Sequence, residues 1–164
     1  MPANAQPAKS FEVASALLNS YATNDRINHY LVRNLAVEAW TMPPPGGKGR
    51  SISATFAHMH NVRLMWMKAA GHQGAMPAKL EPDCSQEQAI AALETSCAAL
   101  STVIAAALAG DGRSKGFKPD VAGFLGYLIA HDAHHRGQAS LLARQLGHPL
   151  AKSASFGMWE WGVR

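Results

Sequence analysis

The sequence predicts an all-α protein, a four-helix bundle, on three observations. Apolar residues recur at helical spacing in four segments, and no segment alternates apolar with polar residues over a useful length. The Pro- and Gly-bearing stretches "TMPPPGGKGR", "GHQGAMPAKLEPDC" and "GDGRSKGFKPD" separate the four. A chain of 164 residues suits one domain and is too short for two full cores.

The first ten residues, "MPANAQPAKS", lack a charged start followed by an apolar block, so they read as a frayed terminus, flexible over residues 1–9, and not as a signal peptide. Helix one then runs from about Ser10 to Ala39, with Val13, Leu17, Ile27, Leu31 and Leu35 on one stripe. Successive prolines and glycines stop it. Helix two starts near Ser51 or Ser53, either hydroxyl able to accept from a free first-turn amide, and ends near Ala70. Helix three opens on "SQEQ", where Ser85 and Gln88 have capping-box spacing. Its Ile90, Leu93, Cys97, Leu100, Ile104 and Ala107 are spaced 3, 4, 3, 4, 3, the seam of a helix lying lengthwise on a neighbour. Asp120 caps helix four, which runs to about Leu146, with Gly147 as its stop and Pro149 barring resumption. The tail over residues 147–164 carries Phe156, Trp159 and Trp161, which are expected to fold back on the bundle, since each would gain about 1.5 to 3 kcal/mol by burial.

Composition excludes several classes. With 48% hydrophobic and 16% charged residues the chain is neither disordered nor built for a membrane, and unbroken apolar runs such as "VIAAALA" fall short of the roughly 20 residues of a spanning helix. The expected location is the cytoplasm. Net charge is +4, but Lys and Arg are scattered from Lys9 to Arg164 without a dense block, which argues against nucleic acid. Cys84 and Cys97 form no CxxC pair, so neither a disulfide framework nor a thiolate metal site is expected. "GGKGRS" lacks the spacing of a phosphate loop and follows no strand.

Chemistry concentrates in "HDAHHRGQ", residues 131–138. His131 and His135 lie about 40° apart around the helix and about 6 Å along it, so both imidazoles can reach one point beside it. Their stripe also carries Phe124, Leu128 and Leu142, which points the pair at the core or its edge. Two stacked imidazoles in a place poor in acceptors each need a partner, and a shared divalent cation satisfies both. Helix two offers a third ligand. His58 lies near Thr55, Met59, Val62 and Met65, whereas His60 is turned about 200° away, so His58 is expected to face inward and His60 outward. Three imidazoles without a thiolate leave open positions on the metal. His134 is expected in solvent or beside the ligands. Asp132, rotated by about 100° from His131, is expected behind the ligands or on the surface. "HDAHH" meets the HExxH pattern only with Asp for Glu, and no third ligand follows at zinc-protease spacing.

"FAHMHNVRLMW", "HDAHHRGQASLLARQLG" and "FGMWEWG" together resemble the DinB-like (DinB/YfiT) superfamily of metalloenzymes, best from about Ser51 to Gly162. The resemblance puts the metal ligands on His58, His131 and His135. It implies up-down-down-up connectivity, a homodimer, and zinc or nickel as the divalent ion. It also implies chemistry on low-molecular-weight thiols in some members and no known reaction in others. Where many members have an acidic residue after the first histidine, this chain has Arg63, a departure that favours an anionic substrate held by Arg63 or Arg136. The readings that follow are a metal-dependent thiol S-transferase or hydrolase, or a non-catalytic metal-binding stress-response or sensor module acting as a dimer.

Overall fold

The structure, a computed structural model, describes residues 11–164, so the expectations for residues 1–9 and for a helix start at Ser10 lie outside the described residues. Its elements are α1 (Val13–Asn34), α2 (Val37–Trp40), α3 (Ile52–Ala70), α4 (Gln86–Ala109), α5 (Val121–Gln145) and α6 (Lys152–Gly157). The four long helices pack together, α3 and α1 each along α4, and α5 along α1 and α3.

Contacts between the helices fix their directions. Going up α3, Ser53, His60 and Arg63 meet Cys84, Ala92 and Leu93 in rising order, so α3 and α4 run parallel. Along α3 and α5 the order reverses, His58 facing His131 and Trp66 facing Phe124, so these two are antiparallel. Gln86, at the start of α4, donates to the carbonyls of Val32 and Leu35 at the end of α1, which makes α1 antiparallel to α4. The connectivity is thus up-down-down-up. Parallel neighbours need a return connection as long as the helix, about 28 Å for α3. Residues 71–85 supply it, running back along α3 with Ala78 against His60 and Leu80 against Asn61.

The caps read from sequence hold at three helices. Ser51 accepts from the Ala54 amide, Ser85 and Gln88 form the reciprocal capping box, and Asp120 accepts from the Gly123 amide. Gly147, at φ 86°, follows α5 in the left-handed region where a glycine carries no Cβ penalty. Helix one departs from expectation. It ends at Asn34, Leu35 and Ala36 are extended, and α2 follows as a single turn. The Gln86 amide takes up the freed carbonyls, and the turn lets Trp40 stack on Phe56 at 5.4 Å while its indole donates to the Cys84 carbonyl at 2.6 Å. Burial of a large aromatic with its N–H satisfied outweighs continued helix.

Helix α4 is, by length and composition, long and apolar enough to cross a membrane, which reading only unbroken apolar runs had missed because alanines dominate it. Its Leu93, Leu100 and Ile104 are fully buried in the bundle, its Ser96 hydroxyl lies in a polar layer, and 33% of its apolar stretch is buried. The tail also departs from expectation. It is stitched to α1 by the Arg164 guanidinium, 3.8 Å over the Tyr30 ring, and by Gly157, which packs where any Cβ would collide with Tyr30. These contacts, with Leu150, Ala154 and Met158 against the bundle, do this docking, and Phe156, Trp159 and Trp161 stay 62%, 80% and 40% exposed.

Two apolar cores result. One gathers Leu31, Trp40, Phe56, Leu93 and Leu142; the other gathers Leu64, Met67, Leu100, Phe124 and Leu128. A polar layer from the middle of each long helix separates them, and the histidines belong to it.

Candidate metal centre

His58 comes from the second turn of α3, and His131 and His135 from adjacent turns of α5. One nitrogen from each lies within 4.8 Å of one from each of the others. The ring centroids are 5.4 Å apart for His58 and His131, 4.8 Å for His58 and His135, and 4.5 Å for His131 and His135. The Nε2 atoms of His131 and His135 are 3.2 Å apart. Two nitrogens bound tetrahedrally to one ion at about 2.0 to 2.1 Å lie about 3.4 Å from each other, so this pair is set for a shared cation. The donor set fits a divalent metal: three imidazoles face one another, with the Nε2 atoms of His131 and His135 turned to each other.

Protonation supports the same fit. Burial, then the positive charge of Arg50, push the His58 ring down to about 4. Burial likewise lowers His135 despite its hydrogen bond to Gln138. Both rings are neutral near pH 7, the form that ligates. The Gln138 amide accepts from His135 Nδ1 at 2.8 Å and donates to His134 Nε2 at 2.9 Å. With the amide assigned this way, the ring proton of His135 sits on Nδ1 and the Nε2 lone pair is free for a metal. His134 is exposed, as expected, and acts on the centre through Gln138.

The centre opens to solvent at the edge of the bundle. His58 and His131 are half-buried, with 15% of the His131 side chain exposed, and His135 is buried. Tyr127, one turn below His131, stacks beside it at 6.0 Å and is itself partly exposed.

Behind the ligands lies a second polar cluster. Arg63 Nη1 donates to Asp25 and to the Leu93 carbonyl at 2.7 and 2.9 Å, and Nη2 donates to Asp132 at 2.7 Å. Asn24 and Asn28 donate to the same Asp132 oxygen at 2.7 and 2.9 Å, while their own carbonyl oxygens accept from Arg136 Nη1. Burial alone would raise the Asp132 carboxyl, but the Arg63 guanidinium holds it far below the ordinary carboxylate range. Asp132 Oδ1 is 3.8 Å from His131 Nδ1, so its charge backs that ligand.

One pair of alternatives is decided here, for Asp132, and three expectations, for Arg63, Arg136 and His60, need correcting. Asp132 is 2% exposed, so it belongs behind the ligands and not on the surface; locked to Arg63, it has no freedom to act as a protease-type base. Arg63 is 1% exposed with both carboxylates in hand, so it cannot hold a substrate anion. Arg136 turns to α1 and away from the three histidines. His60 faces inward, with both ring nitrogens 2.9 Å from the carbonyls of Ala92 and Ala78, and Met65 faces out. Helix α3 is covered on several sides by α4, α5 and the return connection, so a single-stripe reading mistakes its deepest face. Sequence reasoning missed Asn24, Asp25 and Asn28. The signal was present in "TNDRIN", where amide and carboxylate groups interrupt the stripe of Ile27 and Leu31 at core spacing.

A comparison with curated proteins returns no match. The family model described as "DinB family" matches residues 1–154. A match over that span, with the three histidines brought together on an up-down-down-up bundle, makes this chain a member of the DinB family.

Proposed function

We propose that this protein is a divalent-metal-dependent enzyme, a thiol S-transferase or hydrolase, with His58, His131 and His135 holding zinc or nickel. The observation that carries the reading is the convergence, at the partly open edge of the bundle, of three imidazoles whose nitrogens turn towards one another. A divalent ion held by three neutral imidazoles would keep positions for exchangeable ligands, lower the pKa of a bound water towards about 7 and deprotonate a bound thiol.

The chain's own groups narrow the chemistry. Burial, foremost, pushes the Cys84 thiol up to about 11 and the Cys97 thiol up to about 12, and both are buried, so neither serves as a nucleophile. The nucleophile therefore comes from outside, as water or a low-molecular-weight thiol. Arg50, exposed on the loop before α3, brings positive charge towards His58 and His135 and takes over the anion-holding role expected of Arg63. Tyr127 offers a hydroxyl and a ring face beside His131. The same reading places the protein in the cytoplasm, in keeping with two free cysteines, and as a homodimer, for which exposed Leu141 and Phe156 offer apolar surface.

The test loads protein purified without an affinity tag with zinc or nickel and measures thiol conjugation and ester cleavage over a substrate panel. The expected result is a rate that saturates with metal and is abolished in His131→Ala. Saturable metal binding with no turnover across the panel would leave the non-catalytic stress-response or sensor module in its place.

A further inference from the structure

On the face of α5 opposite the histidines, a cleft of about 270 Å³ opens between this helix and the C-terminal tail. Ala133 and Gly137 lie about 200° around the helix from His131 and His135 respectively, so the cleft and the metal centre face different ways. Its walls are apolar, with Ile129 and Ala133 on one side and Met158, Trp159 and Trp161 on the other, and Arg136 is a polar group among them. The volume is just below the range of about 300 to 1,000 Å³ usual for drug-sized ligands and suits a single ring with a short substituent.

Arg136 differs from Arg63 in one decisive respect. Arg63 pairs with two carboxylates, whereas half-buried Arg136 makes no salt bridge among the described residues. Its Nη1 is held by the neutral carbonyl oxygens of Asn24 and Asn28, at 2.7 and 2.6 Å. Among the described residues its other nitrogens take no hydrogen bond. A partly desolvated guanidinium is costly, and the charges of Asp132 and Asp25 reach this one only at a distance, opposed by Arg63; a carboxylate in direct contact would gain both the charge and a second donor. Fixing Nη1 also fixes the plane of the fork, which lowers the ordering cost of binding.

We propose that this cleft binds a small aromatic carboxylate, its carboxylate on Arg136 and its ring between Met158, Trp159 and Trp161. Two indoles partly in water at the mouth of the cleft gain cover when the ring enters, which accounts for aromatic side chains that the tail leaves exposed.

Gly137 supplies a clean block. A Cβ there meets nothing within 4 Å, so Gly137→Leu extends into open space and replaces a mid-helix glycine with a better helix former. The experiment titrates the full chain, in chelator so that no metal competes for the carboxylate, with phenylacetate and its uncharged analogue phenylacetamide. Calorimetry and tryptophan fluorescence report binding. Phenylacetate is expected to saturate, phenylacetamide to bind at least tenfold more weakly, and Gly137→Leu to abolish binding while leaving the melting curve and zinc affinity intact. Trp161→Ala is expected to weaken phenylacetate at least threefold, and His131→Ala to leave it unchanged. Absence of saturation up to about 10 mM phenylacetate, a weak-ligand bound, overturns the proposal. So does equal binding of acid and amide, or undiminished binding by Gly137→Leu.

Discussion

Two polar clusters share the middle level of the bundle, and they differ in how far their bonding is met inside the protein, although even the better-satisfied one leaves Arg63 Nε buried without a hydrogen-bond partner. In the cluster around Arg63, the guanidinium meets two carboxylates, Asp132 accepts from two asparagines and an arginine, and the asparagines in turn accept from Arg136. In the cluster around His135, three imidazoles turn nitrogens towards one another, with Gln138 on the far side of the His135 ring and Asp132 behind that of His131. A closed network of buried charge is framework: it fixes how α1, α3, α4 and α5 register, at a desolvation cost that its internal bonds offset. A set of donors that converges without closing is completed from outside. The first cluster also holds the second in place, since Asp132 belongs to one and backs His131 in the other.

The largest effect expected tests the framework half. Arg63→Met leaves Asp25 and Asp132 buried without their counter-charge, and removing one partner of such a set costs about 3 to 5 kcal/mol. Urea unfolding monitored by far-ultraviolet circular dichroism measures it; a loss under about 1 kcal/mol would show that the closed cluster does not carry the fold. The open half is expected to behave in the opposite way. His131→Ala changes the stability of metal-free protein by no more than about 1 kcal/mol, because its ring is partly in solvent. It removes the stabilisation by zinc, which for the parent amounts to about 2.7 kcal/mol at a hundredfold excess over Kd. A variant that kept that increment would remove His131 from the ligand set.

A smaller effect sharpens the boundary between the clusters. Gln138 is exposed and has no role in the core, yet it orients His135. Gln138→Ala is expected to weaken zinc about 10- to 100-fold with the melting curve of the metal-free protein unchanged, as loss of an orienting partner does elsewhere. Competition against a chromogenic chelator reads the affinity. Unaltered affinity would mean that the packing of α5, and not Gln138, sets the ring.

How legible each cluster was in the sequence follows from the same contrast. The open cluster was readable because its residues announce themselves by type and period: imidazoles four apart on an apolar stripe have few structural uses, so His131 and His135 could be paired from spacing alone. The caps at Ser51, Ser85 and Asp120 were readable for a similar reason, each being a local signal acting within one turn. The closed cluster was not. Asp25 and Asp132 lie 38 and 69 positions from Arg63 respectively, and each of the three alone looks like an ordinary surface charge on its helix. Only the packing of four helices brings them together. The facing of α3 failed for a related cause: a helix covered on several sides has no single stripe, so His60 and His58 could not be ranked by depth. The break at Leu35 was hidden because its compensation, the Gln86 amide, comes from another helix.

The smallest effect lies at His29, a titratable edge of the cluster around Arg63. His29 is buried, with Nε2 3.3 Å from Asp25 Oδ2 but outside hydrogen-bond geometry. Burial lowers its pKa and outweighs the opposing pull of Asp25. With the folded value below the unfolded value of about 6.5, the unfolded chain binds the proton more readily between the two. Stability from this group is therefore intact above about pH 6.5 and falls as pH drops through the window, by at most about 1.4 kcal/mol per pH unit. His58, His60 and His135 are lowered as well, so the parent slope exceeds one proton. His29→Gln is expected to flatten it by up to one proton's worth, read from urea unfolding at pH 7.5 and 5.5. If Asp25 instead dominated, the folded pKa would lie above the unfolded one, and the substitution would steepen the loss on acidification. The sign of that change decides whether the closed cluster accepts a further positive charge at its edge or is already balanced without one.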